Sequence, residues 1–142
     1  MLDAGCVTAI NLDGGGSTTY AAKQEGENEI SVVNRPSDGY ERSVSSSLMV
    51  VSTAESTTDF DHAIISSSAD YLTVGSSVEI TAAGVSTSGN TADIPANASY
   101  RLSDETIGIL DGDTFTASAM GDVTVQLVAD GNVLGEKTLH VV

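Results

Sequence analysis

Period-two alternation dominates the second half of the chain and leaves it few folding options. Val78, Ile80 and Ala82 are separated by Glu79 and Thr81, and Val123, Val125 and Leu127 by Thr124 and Gln126. Leu139 and Val141 flank His140, with Thr138 before them. Successive side chains of a β-strand point to opposite faces, so this pattern describes strands with one buried and one wet face. Further short strands are predicted over 62–66, 71–74, 98–102, 106–110, 114–117 and 133–142, and the alternating stretches extend over 78–85 and 122–129. Turn signals separate them at Ser88-Gly89-Asn90, Asp111-Gly112-Asp113 and Asp130-Gly131-Asn132. The last two are short enough for hairpins. Many short strands without helical periodicity predict a mainly β protein whose residues 60–142 form a β-sandwich.

Residues 1–55 read differently. Val7 to Leu12 is a strand candidate that runs into Asp13-Gly14-Gly15-Gly16-Ser17, and Thr18 to Ala22 continues as a strand. Lys23 to Glu29 is polar and predicts a loop or hairpin tip, followed by a strand over 30–34. Arg35-Pro36-Ser37-Asp38-Gly39 is a turn by composition, and Val44 to Val51 predicts a final strand. The polar, Ser/Thr-rich stretch that follows marks a linker, placed at 56–59.

Charge limits the choice of partner. Twenty acidic residues against five basic ones give a formal net charge of −15. Nucleic acid is excluded as a partner, because its phosphates require clustered Lys and Arg. No apolar run approaches the ~20 residues that span a bilayer, so no membrane insertion is expected. The acidic surface suits a soluble protein that is secreted or held at a cell surface. The single cysteine, Cys6, has no partner for an internal disulfide and is expected to be a buried, inert thiol. His62 and His140 lack the spacing of zinc ligands. The pairs Asp59/Asp61 and Asp111/Asp113 suit solvated turns better than a calcium loop, which needs six to eight oxygens. No metal site and no cofactor are expected.

Two strings carry the visible chemistry. In Asn11-Leu12-Asp13-Gly14-Gly15-Gly16-Ser17, three glycines let the backbone turn tightly and approach a ligand closely. Their N–H groups are able to converge on an anionic oxygen. Asp13 is a candidate for proton transfer and Ser17 for donation to a phosphate oxygen. The same string also suits a plain glycine turn with Asp13 as a turn residue. It is not a nucleotide-phosphate loop, because no lysine follows the glycines. In the second string, Val33-Asn34-Arg35-Pro36-Ser37-Asp38-Gly39 with Glu41-Arg42, two of the five basic residues lie close together. An arginine grips a phosphate with fixed, bidentate geometry. The alternative is that Arg35 and Arg42 are surface ion-pair partners in an acidic chain.

Residues 9–19, 33–39, Glu41-Arg42 and the strand candidate 47–51 together resemble the C-terminal part of the phosphodiester glycosidase family, in order and in spacing. The family removes a sugar from a sugar-phosphate diester. The resemblance implies Asp13 and Ser17 as catalytic residues, with Gly14, Gly15, Gly16, Asn34, Arg35 and Arg42 binding substrate phosphate. It also implies that residues 1–55 are a short β-rich fragment of a larger α/β catalytic domain, whose N-terminal part is a missing partner, and that this fragment alone has little activity. The stretch from Ser99 to Gly131 resembles the second half of bacterial immunoglobulin-like domains. That resemblance implies a spacer, adhesion or carbohydrate-binding module facing cell-surface polysaccharide, and assigns no chemistry.

Overall fold

β-branched residues fill the second half of the chain, and their alternation is realised as two antiparallel-rich sheets. The computed structural model describes residues 2–9, 14–45 and 47–142. These divide into two compact units. The first comprises Met1–Lys23 and Ile30–Ser52, and the second Gln24–Glu29 and Thr53–Val142.

The second unit holds nine strands: β3 (Phe60–Ser67), β4 (Tyr71–Leu72), β5 (Ser77–Ser86), β6 (Thr91–Ala92), β7 (Ser99–Leu102), β8 (Gly108–Asp111), β9 (Thr114–Ala117), β10 (Gly121–Ala129) and β11 (Asn132–Val141). One sheet has the order β4-β11-β10-β7. The other runs β3-β5-β9-β8, with β6 paired to β5. All pairings are antiparallel except that of β4 with β11, which is parallel. Expected and observed strands coincide closely; the two-residue β6 had no counterpart in the sequence reading.

The inward faces of the two sheets form the core. Val78 and Ile80 of β5 and Phe115 and Ala117 of β9 pack with Val123, Val125 and Leu127 of β10 and Leu139 and Val141 of β11. Phe115, Val123, Val125 and Leu139 are completely buried. Each side chain of this kind contributes about 1.5–3 kcal/mol when fully removed from water. The β10–β11 hairpin closes through Asp130 and Gly131, with φ of 51° and 81°. Two consecutive left-handed residues are what the two-residue turn matching strand twist requires, and Asp-Gly supplies them at low cost.

One charged side chain lies on the inner face. Lys137 stands opposite Val125 in the β10–β11 register and is only 28% exposed. Its ammonium reaches Asp70 at 2.8 Å, and Ser67 Oγ donates to the same carboxylate at 2.9 Å. The aliphatic stem can thus cover core while the charge is paired. The hydrogen bond from Lys137, followed by that from Ser67, holds the Asp70 carboxyl below its ordinary range.

The segment Gln24–Glu29 is built into this unit through the turn between β5 and β6. Gly26 N donates to Gly89 O (3.2 Å), Thr91 Oγ1 to Gly26 O (2.8 Å) and Thr91 N to Asn28 Oδ1 (3.2 Å). Residues before β3 are tied to the same turn: Thr57 N donates to Ser88 Oγ (2.9 Å), which donates back to Thr57 O (3.2 Å).

The first unit has little regular structure. Among its described residues a 3-10 turn covers Leu2–Ala4, and two three-residue strands, β1 (Ala21–Lys23) and β2 (Ile30–Val32), pair antiparallel. The strand expected over 44–51 does not form among the described residues there, and Leu48 and Met49 are 80% and 74% exposed. An apolar, β-branched run becomes a strand only when a neighbouring backbone pairs with it. Residues 7–9 are likewise not strand, and the rest of the candidate 7–12 lies outside the described residues. Cys6 is exposed rather than buried, because among the described residues no buried apolar cluster forms around it.

Candidate functional site

The two strings of the first unit are separated in sequence, and the β1–β2 ladder brings them together. Its register, Ala21↔Val32, Ala22↔Ser31 and Lys23↔Ile30, places Tyr20 beside Val33, whose N–H donates to Tyr20 O at 2.8 Å. Beyond this point the pairing passes to a side chain. Asn34 Oδ1 accepts from Tyr20 N at 2.6 Å, and Asn34 Nδ2 donates to Thr18 O at 2.8 Å. A side-chain amide carries one donor and one acceptor group of the same kind as the backbone. Asn34 therefore extends the ladder by one step and fixes the start of the second string against the end of the first.

A second tie lies further along. Asp38 N donates to Gly16 O at 2.9 Å. The Asp38 carboxylate sits where a side chain on residue 16 would stand, so a larger residue there would displace it from this seat. Arg42 Nη2 forms an ion pair with Asp38 Oδ2. Thr18 N donates to Gly15 O (3.1 Å), which makes residues 15–18 a tight turn. On the other string, Gly39 N donates to Pro36 O (2.9 Å), and Pro36 is buried.

The expected site residues are placed as follows. Gly14 and Gly15 are exposed, and Gly16 and Ser17 are half-buried in the turn. Asn34 is half-buried and has a positioning role through both ends of its amide. Arg35 is exposed and has no ion-pair partner among the described residues, whereas Arg42 is paired. Asp13 and Asn11 lie outside the described residues. The residue that sequence reasoning missed is Asp38. Its place in a Pro-Ser-Asp-Gly turn gave it a local role, and nothing in the spacing signals a contact with Gly16.

The second unit offers a different kind of surface. A groove of about 370 Å³ is lined by Tyr100, Leu102 and Leu110 with Arg101, Glu105, Gly108 and Ile109. Burial, helped by the negative charge of Asp113, raises the Tyr100 phenol above its ordinary value. None of the described residues of either string is among its lining. His140 stacks on Tyr71 (ring centroids 4.9 Å apart) and meets Asp122 at 2.8 Å, while His62 meets Asp61 at 2.9 Å. Among the described residues no group of three or more His, Cys, Asp or Glu is placed to hold a metal ion.

The arrangement of the first unit defines a class of feature: a glycine-rich turn cross-braced by an arginine-containing string. Residues 1–51 match the phosphodiester glycosidase family. The match covers 51 of 142 residues and includes both strings, whereas the β-rich remainder matches no family. No curated protein matches the chain.

Proposed function

We propose that residues 1–51 are a segment of a hydrolase site that acts on sugar-phosphate diesters, and that the sandwich is a non-catalytic module appended to it. The observation that carries this reading is the meeting of the two strings inside the matched residues. Asn34 and Asp38 both bond to the backbone around the glycine turn. In this reading the glycine turn and the Arg35 guanidinium receive the phosphodiester oxygens. Ser17 supports that contact, and Asp13 supplies the carboxyl group that glycosidic cleavage requires. Arg42 acts beside the turn.

The segment buries little apolar surface by itself, so catalysis depends on the remainder of the family's catalytic domain. Incubation of the 142-residue chain with an activated sugar-phosphate diester is expected to release almost no sugar. Robust turnover would overturn that dependence. Titration with inorganic phosphate, followed by amide NMR, is expected to move the signals of Gly14–Ser17 and Arg35. Shifts confined to other residues would remove the phosphate-site reading.

Strand order supports an immunoglobulin-like reading of the sandwich. The sequence β3-β5-β9-β8 against β7-β10-β11 follows the ABED and CFG arrangement of that fold, with β4 added in parallel to the last strand. A module of this type on a strongly acidic, secreted or surface-held bacterial protein serves as a spacer or as a contact to cell-surface polysaccharide.

A further inference from the structure

We propose that Asp38 is a positioning residue of the glycine-turn site: it holds Arg42 against the turn, which leaves Arg35 as the arginine that meets the phosphodiester. This assignment rests on the reading of residues 1–51 given above. Three contacts converge on Asp38. Its N–H donates to Gly16 O at 2.9 Å. Its carboxylate occupies the space over the Gly16 α-carbon, which any larger residue at position 16 would fill. Its Oδ2 takes the guanidinium of Arg42, four residues on. An ordinary surface ion pair between exposed side chains contributes little and constrains nothing else. This pair differs because its carboxylate, 26% exposed, is seated on the backbone of the other string.

Charge then divides the labour between the two arginines. A lone carboxylate beside the turn would repel an incoming anion. Paired with Arg42 it is neutralised, so the Asp38–Arg42 pair braces the turn without opposing the ligand. Arg35, exposed and free of ion-pair partners among the described residues, brings the uncompensated positive charge. Gly16 leaves the seat that the Asp38 carboxylate takes.

The test uses the full 142-residue chain labelled with nitrogen-15, with inorganic phosphate as the probe. Two readouts are followed: the Arg42 Nε–Hε signal, and the phosphate-induced shifts of the Gly14–Ser17 amides. In the unsubstituted chain the Arg42 signal is expected apart from that of a free arginine. Asp38→Asn should collapse it onto the free position and weaken the apparent phosphate affinity about three- to tenfold, as the turn loses part of its brace. Asp38→Glu, which keeps the charge, should restore the Arg42 signal in part. The direction of the affinity change discriminates, since a carboxylate that merely repelled phosphate would bind it better after Asp38→Asn. Tighter phosphate binding in that variant, or an Arg42 signal indifferent to it, overturns the proposal. Arg35→Ala should abolish the phosphate response while leaving Arg42 unmoved, and a persisting response refutes the division of roles. If phosphate moves none of these signals even in the unsubstituted chain, the phosphate-site reading fails. The Arg42 signal still decides whether Asp38 positions it.

Discussion

The two units of this chain divide physics and chemistry between them. The second unit has a sandwich core in which Phe115, Val123, Val125 and Leu139 are fully buried, and it contains neither string. The first unit contains both strings, yet among its described residues the paired strands are three residues long, and Leu48 and Met49 stand mostly in water. Burial of apolar surface is the main favourable term in folding. The second unit therefore stands on its core, whereas the first is held by local hydrogen bonds around Asn34 and Asp38. A motif is preserved by a handful of specific bonds; a fold is preserved by bulk burial.

Opening the sandwich core should have the largest effect on the second unit. Phe115 is the largest fully buried side chain. Phe115→Ala should cost about 3–5 kcal/mol through lost transfer energy and the cavity left behind. That is a large share of the ~5–15 kcal/mol that holds a typical domain. Urea unfolding followed on β10 and β11 measures it. A loss below about 1 kcal/mol would mean that the inter-sheet core does not hold this unit.

A smaller effect tests the hairpin that joins the two central strands of the core. Gly131 has φ of 81° in the β10–β11 turn. Gly131→Ala places a side chain in the left-handed region and should cost about 1–2 kcal/mol. The loss should appear in the same urea transition as that of Phe115→Ala. A separate transition would show that the sandwich is not one cooperative body.

Asn34→Ala acts on the first unit instead. It removes the bonds to Tyr20 N and Thr18 O, worth about 0.5–1.5 kcal/mol each and toward the lower value where water can replace them. The expected result is faster amide exchange at Tyr20 with an unchanged urea midpoint for the sandwich. A lowered sandwich midpoint would show that the two units share stability, and the division drawn above would fall.

The sandwich was legible because alternation reports burial directly: Val123, Val125 and Leu127 all face the core as their spacing requires. The two-residue β6 was too short to carry any period. Residues 44–51 misled for a physical reason, since their composition states what they would do beside a partner strand and not whether one is present. Cys6 misled likewise, because small apolar neighbours in sequence do not make a core in space. In the site, the glycine turn and the Asn-Arg-Pro string were visible as strings. Their meeting was not, because it runs through the Asn34 side chain acting as backbone and through Asp38 filling the space of an absent Cβ. Neither device leaves a periodic trace.

The smallest expected effect concerns the pair formed by Lys137 of β11 and Asp70. Asp70 accepts from Lys137 and Ser67, and these bonds lower its pKa from the ordinary 3.8. A carboxyl group with a depressed folded-state pKa stabilises the fold fully above the unfolded value, about 3.9, and loses that contribution as pH falls through the lower folded value. Asp70 is open to solvent, which screens the pair and keeps the effect modest. In Asp70→Asn the contribution is absent at every pH. The difference in urea midpoint between the unsubstituted chain and this variant should hold steady above about pH 5 and shrink steadily below pH 4. Comparing the two chains cancels the general relief of repulsion that a net charge of −15 brings on acidification. A difference that stays constant down to pH 2 would mean that the Lys137 ammonium is neutralised by something other than Asp70, and the account of how a lysine comes to stand opposite Val125 would have to change.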